Sequence, residues 1–366
     1  MVFIKDIINF LETKAPLRLQ AAYDNSGWVT GNPDQVCTGV LTSLDLIPSV
    51  IDEAIEKNLN LIIIHHPPIF KGLKQLMTDN PIARMLTAAI KADLNIYAIH
   101  TNLDHVLWGV NGEIANRIGL QNTKVLDPLP DTHQKLVTFA PIKHAAAVRA
   151  GLFEAGAGAI GNYNECSFNA PGIGTFKANE NANPFVGAIN EQHHEQEERI
   201  EVIFPIHLQK AILSVLFSTH PYETVAYDIF PLENEFQEIG AGAIGFLPTP
   251  MEEKDFLSHL KKTFQTGVIR HSSLTGTLIK VVAICGGSGK SLITNALRNK
   301  ADIYVTADLG YHDFFEPDGK LILADIGHFE SEQYTSDLLV RTIKEKFPTF
   351  AVLKTGRNTN PVNYFL

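Results

Sequence analysis

Cysteine is scarce in this sequence. The 366 residues hold three, Cys37, Cys166 and Cys285. They are odd in number, far apart and without a CxxC pair. That excludes a disulfide framework and a cysteine-based zinc site, and it fits a reducing, cytoplasmic location. Positive charge is also short. Lys and Arg number 30 against 40 Asp and Glu, a formal net charge of −10, and no basic run interrupts the balance. Non-specific binding to a nucleic-acid backbone is therefore excluded. Long apolar runs are missing too. None approaches the roughly 20 residues that span a bilayer, so no membrane partner is expected. The opening MVFIKDIINFLETKAP alternates apolar and charged residues and reads as an amphipathic helix rather than a signal peptide. What is present is a hydrophobic share of 45% against 19% charged. That supplies sizeable cores, over a length that suits two or three domains.

Short β-type runs alternate with helical patterns almost throughout, which predicts α/β architecture. The runs CTGVLTSLD (37–45), NLIIIHH (60–66) and NIYAIH (95–100) read as strands, separated by helical spacing over 47–59 and 82–94. DPLPDTHQ (127–134) reads as a polar linker. Beyond it the pattern is β-α-β followed by β-α-β, which predicts a ferredoxin-like unit. In that stretch NEQHHEQEE (190–198) is expected to be an exposed loop, His193 and His194 included, and His220 to cap the helix over 207–218. From 237 the α/β alternation resumes. The expected organisation is a main α/β domain in two parts, 1–126 and 237–366, with a ferredoxin-like domain over 127–236 inserted between them. GAGAIG occurs at 156–161 and at 240–245 and reads as two tight glycine turns.

VVAICGGSGKSLI (281–293) has the outline of a phosphate loop. The pattern G-x-x-x-x-G-K-[ST] needs a glycine six residues before Lys290. That position is Ile284, so the loop is too short to wrap a phosphate. Asp308 and Asp325 at later strand ends do not rescue it, since such aspartates are common. The stretch is read as a strand-to-helix turn. Ser288 and Gly289 put amides at the helix start, where an anionic substrate group can be held.

A stronger signal comes from three strand ends. LIIIHHPPIF places His65 and His66 after four aliphatic residues and before a proline pair. NIYAIHTNLDHV brings His100, Asn102 and Asp104 just past its apolar run. LILADIGHFESEQ closes with Asp325, turns at Gly327, and sets His328 and Glu332 at i and i+4, one turn apart on a helix face. Ligands in open α/β sheets gather at the carboxyl ends of strands. The donors are nitrogen and oxygen without thiolate, which suits Zn, Mn, Fe or Ni. About five donors exceed one structural zinc and match two ions, which can together activate a water and polarise a substrate oxygen. His312, in DLGYHDF, can line the same pocket. Asp24 and Asn25, in YDNSGW, are expected to be structural turn residues.

YDNSG, IIIHHPPIF, IHTNLD, YVTADLGYHD and GHFESE, in this order along nearly the whole chain, resemble the GTP cyclohydrolase 1 type 2 homologues, also called the Ngg-one-interacting factor three-like family. THPYETVAYD (219–228) resembles the insert of the longer bacterial members. The resemblance implies two divalent metal ions, zinc foremost, on His65, His66, Asp104, His328 and Glu332. It implies a PII/CutA-like insert and a toroidal homohexamer. His100 and His312 are then candidate proton carriers, and the partner is a small-molecule substrate or effector of nucleotide type. Two functions stay open: a metal-dependent hydrolase of the GTP cyclohydrolase type, and a non-enzymatic metal-binding or regulatory adaptor acting through the insert.

Overall fold

The computed structural model of the chain describes residues 1–77 and 79–365. It divides into two compact units. One is built from Met1–Pro128 with Gln237–Leu366, the other from Leu129–Phe236. Both mix helices with sheets, as the alternating pattern predicts.

The first unit holds two sheets. The five-stranded sheet runs Gly27–Thr30, Asn95–Ala98, Leu61–Ile64, Val40–Ser43, Val352–Lys354. Only the first pairing is antiparallel. Leu61–Ile64 lies in the middle, and all four side chains are buried. Each contributes about 1.5–3 kcal/mol of burial, which is why an unbroken aliphatic run settles in a central parallel strand. Helices Pro48–Glu56 and Pro81–Lys91 cover one face. Val50, Ile51, Ala54 and Ala89 meet Leu41, Ile62, Ile64 and Ile96 there. Each helix starts on a proline, where the missing N–H costs nothing, and Asn80 caps the second by accepting from the N–H groups of Ile82 and Ala83.

The six-stranded sheet runs Arg270–His271, Ile322–Asp325, Ile303–Ala307, Ile279–Ser288, Gly240–Met251, Gln121–Pro128. Its three middle strands, from Ile322–Asp325 to Ile279–Ser288, are parallel. Two sequence expectations change here. The strand that begins at Ile279 continues through Gly286, Gly287 and Ser288, with a break in register between Ile284 and Ser288. The glycine stretch is thus an irregular strand end, followed by a single 3₁₀ turn, Lys290–Leu292, and a short helix, Ile293–Arg298. The second GAGAIG is also strand. Gly242 takes φ +62°, and a side chain there would meet the Ile284 carbonyl at 2.8 Å, so the glycine serves a close strand contact rather than a turn.

The second unit is one four-stranded antiparallel sheet, ordered Phe168–Lys177, Gln192–Pro205, His133–Pro141, Tyr227–Pro231, with helices Ile142–Glu154 and Gln209–Thr219. Leu136, Ala140, Ile200, Val202 and Phe204 pack with Val148, Leu152, Ile212 and Leu216 in its core. The expected linker over 127–134 narrows, because the flanking strands reach Pro128 and begin at His133. NEQHHEQEE is not a loop. Gln192–Pro205 is one strand of 14 residues, paired with Phe168–Lys177 from Gln192↔Lys177 to Glu201↔Phe168. The polar run misleads because polar residues occupy both faces of that end of the strand, Glu197 on a nearly buried position among them, so apolar alternation starts only at Ile200. His220 stands at the C-cap of Gln209–Thr219, and its Nε2 bonds the Phe139 carbonyl at 2.9 Å.

Candidate metal centre

The histidines come together at the strand ends of the first unit. The chain leaves Leu61–Ile64 with the His65 and His66 amides still bonded to the Leu44 carbonyl, at 3.1 and 3.0 Å. This tether and the following prolines turn both rings to one side. His100 caps the single-turn helix Thr101–Asp104, which places Asp104 one turn below it. Gly327, at φ +94°, opens the helix His328–Glu332 and sets the imidazole and carboxylate on one face. The rings of His65, His66 and His100 lie 5.0–5.4 Å apart by centroid, and His328 is 5.1 Å from His66.

Glu332 is the hub. It is 4% exposed at the side chain and presents its two oxygens to different partners. Oε2 lies 3.0 Å from His66 Nε2 and 3.1 Å from His328 Nε2. Those two nitrogens are themselves 3.3 Å apart. Oε1 lies 3.9 Å from His65 Nε2, which is 3.5 Å from Asp104 Oδ1. His65 Nε2 and Asp104 Oδ1 are both shielded from water and have no hydrogen-bond partner. Buried atoms of this kind are costly to leave without a partner, and two acceptors facing each other suit a cation held between them. Two ligand groupings, His65–His66–His100 and His66–His328–Glu332, have donor atoms within 4.8 Å of one another.

Every imidazole is oriented from behind through Nδ1. His65 uses the Ile99 carbonyl at 2.8 Å, His66 uses Asp45 at 2.7 Å, His100 uses Asp24 at 2.8 Å and His328 uses Asp308 at 2.6 Å. This leaves Nε2 toward the centre in each, the arrangement that holds metal-binding histidines in one tautomer. The charges follow. Burial drives His65 down to about 3, so it stays neutral. Burial opposes charge on His66 and His328 as well, but Asp45, Asp308 and Glu332 outweigh it and raise them to about 9 and about 11. Burial, with the charge of Glu332, pushes Asp104 well above the usual carboxylate range. Burial also opposes charge on Glu332, but its histidine partners hold it well below that range.

Sequence reasoning missed the orienting carboxylates. Asp24 was read as a turn residue, yet it accepts from His100, Ser26 and Thr101. Asp45 and Asp308 lie 21 and 20 positions from the histidines they hold, and nothing local marks that pairing. Other candidates fall elsewhere. Asn102 is fully buried and bonds backbone groups of Ala15 and His100. Asp325 pairs with Arg270 and accepts from the Leu309 and Gly327 amides. His312 is exposed beside Tyr311 and Phe315 and does not line the cavity. Lys290 is tied to Asp313 at 2.6 Å, away from any phosphate loop.

The cluster forms the floor of a cavity of about 780 Å³, with Tyr23, Phe70, Cys285, Ser288 and Ser291 on its walls. Asn111 braces the wall, donating to the Asp104 carbonyl and accepting from the Gly286 amide, both at 3.0 Å. Ser288 is exposed to the cavity, while Gly289 is buried. A side chain at Gly289 would meet Thr306 and Tyr304 oxygens at 2.2 and 2.3 Å. At Gly287, φ +60°, it would meet Glu332 Oε1 at 2.4 Å and His328 Nε2 at 3.1 Å. Gly287 lets the strand pass close to the cluster, and Gly289 lets it pass close to Tyr304 and Thr306.

The model of the Duf34/NIF3 (NGG1p interacting factor 3) family matches residues 2–361. A GTP cyclohydrolase 1 type 2 homolog of Bacillus subtilis is 40% identical over 309 residues, 84% of this chain and 83% of that protein. One from Halalkalibacterium halodurans is 38% identical over 364 residues, 98% of each. The crystal structure of a Bacillus cereus protein related to NIF3 superposes with a TM-score of 0.88 at 35% identity, covering 100% of this chain and 99% of that one. With matches over nearly its full length and a His/Glu cluster able to hold a metal, the chain belongs to the Duf34/NIF3 family.

Proposed function

We propose that the chain is a dinuclear metal-dependent hydrolase acting on a nucleotide-like or phosphorylated substrate. The observation that carries the reading is Glu332, whose two oxygens face separate donor sets. His66 and His328 would hold one divalent ion with Oε2, and His65 and Asp104 the other with Oε1. Zinc suits the nitrogen-rich set, and Mn, Fe and Ni remain compatible. When bound, such a pair supplies Lewis acidity and an activated water. The chain supplies the rest. His100, with Nδ1 donating to Asp24, keeps Nε2 free to take a proton at the cavity floor. His312, exposed outside the cavity lining, is the weaker proton carrier. Ser288 and the strand end before Gly289 offer polar contacts to an anionic group. Phe70 and Tyr23 wall the cavity beside His100. The name shared by the relatives makes GTP ring hydrolysis the first reaction to try.

The finer parts of the proposal follow the same logic. A ferredoxin-like, PII/CutA-like assignment for Leu129–Phe236 is supported by its βαββαβ order and antiparallel sheet. A cytoplasmic site is supported by three free cysteines and, among the described residues, by the lack of a helix long and apolar enough to cross a membrane. A toroidal homohexamer rests on the family resemblance, and mass in solution checks it. The alternative, a non-enzymatic adaptor, draws on the second unit having its own core and cavity.

The test loads the protein with Zn²⁺ or Mn²⁺ and screens GTP and phosphorylated metabolites. Turnover that disappears in Asp104→Ala supports the hydrolase. Absence of turnover at confirmed occupancy contradicts it, and rescue of a deletion strain by His65→Ala/Asp104→Ala favours the adaptor.

A further inference from the structure

The second unit contains a cavity of about 700 Å³ that the metal chemistry does not use. It lies on the face of the sheet opposite the helices. Phe139, Arg199, Glu197 and Gly172 share that face through the pairings Phe139↔Arg199, Ala170↔Arg199 and Gly172↔Glu197. Its size is that of a small-molecule site, and its walls are mostly apolar. Three rings stand around it: Phe176, Phe185 and Tyr222, with centroids 6.1 Å apart for Phe176–Tyr222 and 6.3 Å for Phe185–Tyr222.

One group in it is out of place for an apolar pocket. Glu197 is 8% exposed, and its Oε1 accepts from the Tyr222 hydroxyl at 2.9 Å. Among the described residues it has no Lys or Arg partner. The nearby cation, Arg199, is engaged by Glu201 at 2.9 Å. Glu223, also on the wall, accepts from the Asn183 amide at 2.9 Å. A nearly buried carboxylate without a counter-ion is unfavourable unless a cation arrives to meet it. Aromatic faces beside it add attraction for the same kind of ligand. The strand also leaves room. A side chain added at Gly172 would meet nothing within 4 Å, and one at Gly174 would meet the Glu197 carboxylate.

We propose that this cavity binds a small organic cation, an aromatic or alkyl group carrying a protonated amine, with Glu197 as its counter-ion and Phe176, Phe185 and Tyr222 as its cage. The inference is independent of the hydrolase reading, since it uses no residue of the first unit. The test titrates the full-length protein with 2-phenylethylamine and with its neutral analogue 2-phenylethanol, by calorimetry. One amine per chain is expected, bound at least about tenfold more tightly than the alcohol, a difference of about 1.4 kcal/mol. Glu197→Gln removes that preference. Gly172→Phe, which fills the space, abolishes binding of both compounds, and metal content is unchanged in both variants. The proposal is overturned by equal binding of amine and alcohol, or by no saturable binding at about 1 mM amine. Amine binding that survives both variants but is lost in His65→Ala also overturns it, because the amine then sits at the metal centre.

Discussion

The two cavities are close in volume, about 780 and about 700 Å³, and opposite in chemistry. The first is floored by His66, His100 and His328 with two acids, over the buried His65, and each of these four imidazoles is held from behind by an acceptor. The second is a cage of rings around one carboxylate. The first is built from residues that end strands, where the backbone can turn several side chains inward together. The second is built on a sheet face, where each strand offers every other side chain, and is completed by Phe185 and Tyr222 from segments between the strands and helices. Convergence at strand ends makes a multidentate polar site. A sheet face makes a broad, mostly apolar one with a few polar groups at its wall.

The comparison can be broken most sharply at Gly287. Any side chain there collides with Glu332 and His328 at a positive φ that only glycine adopts easily. Gly287→Val is expected to abolish metal binding and lower the melting temperature by several degrees, read by elemental analysis and calorimetry. Gly172→Phe in the second unit leaves both unchanged. Wild-type metal content in Gly287→Val would show that the strand end is free to move.

The next effect concerns the orienting carboxylates. Asp45→Asn and Asp308→Asn keep the shape but weaken the hold on His66 and His328. Each is expected to lower metal affinity about 10–100-fold, measured by chelator competition. Affinities equal to wild type would make these contacts incidental.

A smaller, continuous effect is pH. Without metal, His66 and His328 stay protonated up to about 9 and about 11, and metal must displace those protons. Apparent affinity should therefore rise with pH from 6 to 9, by about tenfold per unit for each proton released. Protein stability runs the other way. The two histidines have raised pKa values in the fold, so their contribution is complete below the unfolded value of about 6.5, shrinks as pH climbs above it, and is gone past about 9 for His66 and about 11 for His328. A flat affinity profile would mean that the imidazoles are already neutral. The smallest effect is expected at Lys290. Lys290 reaches into solvent, and its nearly buried partner Asp313 also accepts from the Gly310 amide, so Lys290→Ala should leave nucleotide binding unchanged and lower the melting temperature only slightly.

Legibility in the sequence follows the same division. His65, His66, Asp104, His328 and Glu332 can be picked out because they lie just past three apolar runs, the first pair before two prolines and the last pair after the turn at Gly327. The alternation of short strands and helices likewise carries the α/β class. Asp24, Asp45 and Asp308 cannot, because their roles depend on histidines 76, 21 and 20 positions away. The strand Gln192–Pro205 escapes for another reason. Its first residues are polar on both faces, so period-two reading has no apolar phase to find. The cavity beside Glu197 is hidden with it. The glycine stretch at 286–289 reads as a strand-to-helix turn with amides for an anionic group, because local pattern cannot tell a glycine that faces a ligand from one that, like Gly287, makes room for Glu332.

The account turns on Glu332 joining two metal sites. The direct measurement is metal stoichiometry per chain, by elemental analysis, after saturation with Zn²⁺ and removal of free ion, for wild type and Glu332→Gln. Two equivalents in the wild type, with loss of both in the variant, are predicted. A single equivalent in the wild type, or two retained in Glu332→Gln, would contradict a centre bridged by that carboxylate.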